Sequence, residues 1–396
     1  MLLTALIVLA IGALAATAVV ARDLKRKNVN IWLGEYLRRK PAPKVNGPIH
    51  VMFAFVDHFE PKWGRPSAQV ETQRVQAWCE RYAQQASRHR DADGFHPQHS
   101  FFYPEEEYEV HHLDQLQALC EKGFGELEVH LHHDNDTADG LREKIRRFMG
   151  ILTQQHGALP INKRTGQRMF GFIHGNWALD NSRPDGRWCG VNDEIQVLAE
   201  LGCYADFTLP SAPSDTQTAK INSIYYATDD PHKPCSHNHG VDVAVGVPAS
   251  GDLMIVQGPL ALNWRNRKWG LVPRIENSDV RASNQPTRDR VDLWVQQHIH
   301  VQGKPDWIFI KVHTHGAQET DMDTLLGKPC DDMYSYLEQK YGDGKNYCLH
   351  YVSAREMYNI IKAAEEGCPG DPGQYRDHVL ERPPSSRAGM APTNSK

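Results

Sequence analysis

Strand-like and helix-like segments alternate along most of this chain, and that alternation restricts the fold more than any single motif. Short runs of apolar, β-branched and aromatic residues fall at His50–Phe59, His99–Tyr103, Glu126–His133, Met169–His174, Tyr204–Leu209, Leu253–Gly258, Asp306–His313 and Asn346–Val352. Segments of helical periodicity fall between or after them, at Ala68–Arg88, Leu113–Lys122, Thr137–His156, Asn192–Leu201, Thr287–Ile299, Met333–Lys340 and Ala354–Glu366. Asp136 is an expected cap of the third of these, and Ser353 with Glu356 forms an expected capping box. Strand–helix repetition predicts a parallel sheet, and seven or eight units predict an α/β fold of the irregular (β/α)7-8 barrel type. In such a barrel the reactive residues gather at the C-terminal ends of the strands. Two stretches break the rhythm: a connector at Gly157–Gln167 and a long polar insertion at Ser211–Gly251.

The start of the chain obeys a different rule. Residues 2–21 carry no charge, and Thr4 and Thr17 are their only polar side chains. That length matches the hydrocarbon core of a bilayer, so an N-terminal transmembrane helix is expected, with a cleaved signal peptide as the alternative. Arg22, Lys25, Arg26 and Lys27 follow directly. By the positive-inside rule the domain is expected on the cytoplasmic side of an inner membrane, the periplasmic side being the alternative. The expected organisation is an anchor over 1–21, a juxtamembrane helix and linker over 22–46, a barrel over 47–366, and a flexible Pro-, Gly- and Ser-rich tail over 367–396. A net charge of -5 offers no basic field for nucleic acid. The eight cysteines form no CxxC pair, so a thiolate zinc site is not expected and no dense disulfide framework is implied.

Chemistry concentrates at the strand ends. In the stretch ELEVHLHHDND, alternation puts Leu127, Val129 and Leu131 on one face and Glu128, His130 and His132 on the other, with His133, Asp134 and Asp136 where the strand runs out. Imidazole and carboxylate are the usual ligands of zinc and similar ions. The first strand ends in Asp57, His58 and Glu60, and the fourth in His174, Asn176 and Trp177. The fifth brings Asp206, and a late strand ends in His313 and His315. One fold would bring these ends to one rim.

In the order of these motifs the chain resembles the polysaccharide deacetylase superfamily, carbohydrate esterase family four and its relatives, over roughly residues 47–363. FVDHFEP stands where that family has an apolar strand ending in paired acids, and HLHHDND where it has a metal-binding H-x-x-x-H. HGNWALDNSR, LGCYADFTLPS and IFIKVHTHG follow at the later motif positions. Three places depart from the pattern: the paired acids read Asp57-His58, the second histidine of the metal motif is an acid, and His174 replaces an arginine. The resemblance implies an irregular barrel and metal-assisted hydrolysis of an acetamide on a sugar, a hydrolase acting on non-peptide C–N bonds. It implies a divalent metal, zinc being expected, held among His130, His132, Asp134, Asp136, Asp57 and His58. It implies Asp57 as ligand or general base, His313 as general acid with His315 as the alternative, and His174, Asn176, Trp177 and Asp206 on the saccharide. The anchor suits a polysaccharide or lipid-linked saccharide substrate. Two rival readings remain: a glycoside hydrolase with a carboxylate pair on a related barrel, and a non-catalytic membrane-anchored saccharide-binding or scaffold module.

Overall fold

The structure, a computed structural model, describes residues 17–383. Most of the expected membrane segment lies outside the described residues, and within them no helix is long and apolar enough to cross a membrane. Helix α1 (Val29–Arg38) leads into β1 (Ile49–His58), α2 (Ala68–Ala86), β2 (His99–Pro104), α3 (Val110–Glu121), β3 (Gly125–Leu131) and α4 (Ala138–Gln154). Next come β4 (Ile161–Asn162), β5 (Phe170–His174), α5 (Glu194–Glu200), β6 (Cys203–Asp206), β7 (Ile224–Ala227), β8 (Val241–Asp242) and β9 (Leu253–Val256). A hairpin of β10 (Ala261–Lys268) and β11 (Val272–Glu276) precedes α6 (Arg288–Gln296), β12 (Trp307–Thr314), α7 (Glu319–Leu325) and α8 (Lys328–Tyr341). The chain then adds β13 (Tyr347–Tyr351), α9 (Ala354–Glu365) and β14 (Leu380–Glu381). Every expected strand is present, with small shifts at the ends.

The molecule is an α/β protein built on one large, mainly parallel sheet in the order β12-β1-β2-β3-β5-β6-β9-β7-β8. One edge of β1 is covered by β12; β13 and β2 share the other, pairing its first and second halves. β7 and β8 join antiparallel. Both faces of the sheet are apolar, as expected of parallel strands covered on both sides. Val51, Phe53 and Phe55 face a core shared with helices such as α2, α4 and α8, through Trp78, Phe148 and Tyr334. Met52, Ala54 and Val56 face a second core filled by Met357, Ile360 and Ile361 of α9. Although β12 and β9 do not pair as strands, they come close. The buried Lys311 of β12 donates to the carbonyls of Phe207 and Leu209. Gly258, just past β9, runs against β12 so tightly that a Cβ there would lie 2.3 Å from the Lys311 carbonyl oxygen. Only glycine allows that approach.

Several expectations change. Thr137 caps α4, its hydroxyl accepting from the Gly140 amide at 3.1 Å. Asp136 is drawn away by Lys144, 2.6 Å from Oδ2. The polar insertion is not one loop, because β7 and β8 extend the sheet from within it. The described part of the tail, residues 367–383, is packed onto the domain. Arg376 is buried against Asp91 and Glu356 at 2.9 and 3.1 Å, and β14 pairs with β4. Charge pairing holds a segment whose composition signals flexibility. The Ser353–Glu356 capping box forms as expected.

Candidate metal centre

Parallel registers align the strand ends. His58 of β1 lies beside Phe102 of β2, Pro104 beside His130 of β3, and His130 beside Ile173 of β5, while β12 delivers His313 beside Val56. Alternation along β3 then sends Glu126, Glu128, His130 and His132 to the same face, away from Leu127, Val129 and Leu131 in the helix-side core.

At this rim the buried Glu60 is the hub. Its Oε1 lies 3.3 Å from His130 Nε2 and 3.1 Å from His132 Nε2, and its Oε2 is buried without a hydrogen-bond partner. His58 is buried with neither ring nitrogen hydrogen-bonded. Its ring stacks on His315 at 4.7 Å and on Trp177 at 4.6 Å, and meets His130 edge-on at 4.8 Å. Two ligand-type triads therefore share Glu60: one with His130 and His132, the other with His58 and His315, the donor atoms of each lying within 4.8 Å of one another.

The proton positions favour a cation here. His130 Nδ1 lies 2.9 Å from the Ile173 carbonyl, which can only accept, so the ring proton sits on Nδ1. Nε2 then presents a lone pair to the Glu60 carboxylate, an arrangement that a bound cation resolves. Burial holds both His58 and His130 below the ordinary imidazole range, the neutral form that ligates metals. His132 differs. Burial opposes its charge, but Glu106 and Glu60 outweigh this and push it up to about 10. Its Nδ1 sits 2.5 Å from Glu106 Oε1, the outer carboxylate that orients a ligating imidazole. Gly175 makes room for this ring, since a Cβ there would lie 2.4 Å from His132 Cδ2. These residues fit a divalent metal bound by nitrogen and oxygen.

A cleft of roughly 410 Å³ opens beside the cluster, lined among others by Trp63, Trp177, Asp279, Arg281, His313 and His315. His313 is buried with Nδ1 unpartnered, and its Nε2 lies 3.9 Å from Asp279. Burial and then the Lys311 charge hold it well below the ordinary imidazole value. Trp177 occupies a left-handed backbone conformation with φ 62°, a strain of about 1–3 kcal/mol that functional sites tend to carry.

Other expected residues lie elsewhere. Asp57 points to the helix side, where its carboxylate accepts from His99 Nε2 at 2.8 Å and the Gly316 amide at 2.6 Å. Asp134 accepts from the Trp188 amide, and Asp136 is held by Thr137 and Lys144. Asp206 is buried and accepts from the amide and hydroxyl of Thr208, closing a turn. Asn176 donates to the carbonyls of His133 and Trp188. His174 is completely buried on the helix side, away from the cleft. The sequence places Glu60 at the end of the first strand without giving it a ligand role, and the reading missed Glu106, Cys189 and Glu194. The signal for Glu106 was present in FFYPEEE, where a strand of this sheet ends in carboxylates at the same rim.

No family model matches the chain, and no curated protein matches it.

Proposed function

We propose that the chain is a metal-dependent hydrolase that removes acetyl groups from an N-acetylated sugar of a surface polysaccharide or lipid-linked glycan. Its scaffold reads as an irregular (β/α) barrel, a reading supported by the close approach of β9 to β12. The observation that carries the function is Glu60, a buried carboxylate ringed by four imidazoles beside a cleft with tryptophan walls. Glu60, His130 and His132 would hold a divalent ion, zinc by preference, with His58 and His315 completing the set. A bound ion there supplies Lewis acidity, activating water and polarising an acyl oxygen. His313 starts as neutral imidazole on the cleft wall, able to take a proton and return it to the departing amine, with Asp279 facing the imidazolium so formed. Trp63 and Trp177 offer flat apolar faces to sugar rings. A glycoside hydrolase is the weaker reading, because Asp57, Asp136 and Asp206 spend both oxygens on internal bonds, Asp134 accepts from the Trp188 amide, and Glu60 is engaged by His130 and His132.

The reading extends to a membrane site, anchored through residues 2–21 with the domain on the cytoplasmic side. The β10–β11 hairpin supports it. Trp264, Trp269 and Leu271 are exposed at its tip, among Arg265, Arg267 and Lys268. Lys268 pairs with Asp23 at 3.2 Å, so the tip lies beside the chain as it leaves the apolar segment. Aromatic and cationic side chains together suit an anionic headgroup layer.

The test is acetate release from N-acetylated glycans by the purified protein. Chelation should abolish it and zinc should restore it. His132→Ala should lose the ion held at Glu60, and with it the activity, while its circular dichroism stays unchanged. Full activity and normal metal content in that variant would sink the assignment.

A further inference from the structure

Behind the sheet, on the face away from the cleft, four ligand-type side chains meet that the proposed reaction does not use. His133 follows β3, His174 ends β5, Cys189 sits in the loop between β5 and α5, and Glu194 begins α5. All four are buried, and their donor atoms lie within 4.8 Å of one another. Glu194 Oε1 is 3.0 Å from His133 Nε2, and its Oε2 is 3.4 Å from Cys189 Sγ. We infer that these residues form a second metal centre, structural rather than catalytic, for a zinc-class divalent ion.

Three observations carry the inference. The Nε2 of His174 is fully buried and unpartnered, aimed at Glu194 Oε2 across 3.8 Å, too far for a hydrogen bond. The backbone amides of Asn181 and Val191 both donate to Cys189 Sγ, at 3.3 and 3.4 Å. Such donors suit the negative charge that coordination would give this sulfur, whose thiol otherwise donates to Glu194 Oε2. His133 Nδ1 has no hydrogen bond, but Asp136 Oδ2 lies 3.3 Å from it, near enough to serve as the outer carboxylate that orients a ligating imidazole. Two nitrogens, a sulfur and an oxygen select zinc over magnesium or calcium, and the absence of any exposed ligand describes a closed site. Coordination by His174 Nε2 puts the ring proton on Nδ1 and so displaces the 3.2 Å contact from the Asn176 amide. Asn176 keeps its side-chain bonds to the carbonyls of His133 and Trp188.

The centre would staple the ends of β3 and β5 to the loop that carries Trp177, whose amide donates to the His174 carbonyl at 3.1 Å. It stands independently of the chemistry proposed at Glu60.

Cobalt substitution tests it. The full chain is used in a Cys368→Ser background, which removes the surface group of Glu366, Cys368 and His378. Cobalt loading should give a thiolate-to-cobalt charge-transfer band in the near ultraviolet. The band should survive His132→Ala and vanish in Cys189→Ser, which should also lose one ion per chain. A loaded protein without the band, or a band that persists in Cys189→Ser, overturns the proposal in favour of a protonated His133–Glu194 pair. Should Cys189→Ser fail to fold, zinc X-ray absorption of the background protein decides: a sulfur neighbour at about 2.3 Å supports the site, and an all-nitrogen and oxygen shell overturns it.

Discussion

At the scale of single residues, the site depends on which way each side chain faces. On β3, polar and apolar residues alternate, so the facing of His130 and His132 was legible in the sequence. On β1 the run VMFAFV is apolar on both faces, so nothing in it told which face Asp57 would join; the structure turns Asp57 outward and His58 inward. Gly175→Ala tests the crowding around His132. The added methyl should tilt the imidazole off Glu106 and weaken metal binding about 10–100-fold, as losses of outer-shell support do, which metal titration would measure. Unchanged affinity would show that the ring has room to move. Glu128 gives a pH test. Burial pushes it up to about 8, from an ordinary 4.5, although the Tyr204 hydroxyl and the Gly171 amide lie 2.5 and 2.6 Å from its oxygens. Between these values the folded chain holds a proton that the unfolded chain has released. Stability should therefore fall as pH rises through that window, by up to about 1.4 kcal/mol per pH unit. Glu128→Gln should remove this contribution. Urea unfolding at several pH values compares the two proteins, and equal pH slopes would contradict the assignment.

At the scale of elements, the parallel strands bring distant residues together, while the additions to the sheet decide what surrounds the site. The β10–β11 hairpin was not expected as an element, because its strands carry Trp264, Arg265, Asn266 and Arg267 in succession and show no alternation. Its other end is apolar and packs with α1, where Val29, Trp32 and Tyr36 meet Leu260, Ala261 and Leu262. If the tip rests on a bilayer, Trp264→Ser with Leu271→Ser and Arg267→Gln should weaken binding of a chain starting at residue 22 to anionic vesicles. The expected loss is about tenfold or more, from interfacial aromatic burial and about 1 kcal/mol per cation. Vesicle co-sedimentation measures it, and identical binding by the variant would rule the hairpin out as a contact. The capping box at α9 was legible, since Ser–x–x–Glu before an apolar run is a local signal.

At the scale of the whole molecule, buried charge ties the C-terminal segment to the bottom of the sheet. Arg355 and Arg382 meet Glu126 at 2.8 and 3.0 Å, and Arg376 meets Asp91 and Glu356. Arg376→Ala should cost about 3–5 kcal/mol, because it leaves buried carboxylates unpaired, and thermal unfolding would register it. A negligible change would mean that water reaches these groups. Composition pointed to a flexible tail here, since a Pro- and Gly-rich segment carries no periodicity, and Arg376 and Arg382 pair with Asp91 and Glu126, far away in the chain. By itself the sequence determined the alternating strands and helices, the parallel sheet and the face of β3 that bears the histidines. These follow from periodicity, which local side-chain pattern encodes. The tertiary structure alone decided that Glu60 rather than Asp57 stands among the imidazoles, and that His174 turns away from the cleft toward Cys189 and Glu194. Those outcomes depend on packing between segments far apart in sequence, and on strands buried on both faces, where hydrophobicity no longer marks which side is in.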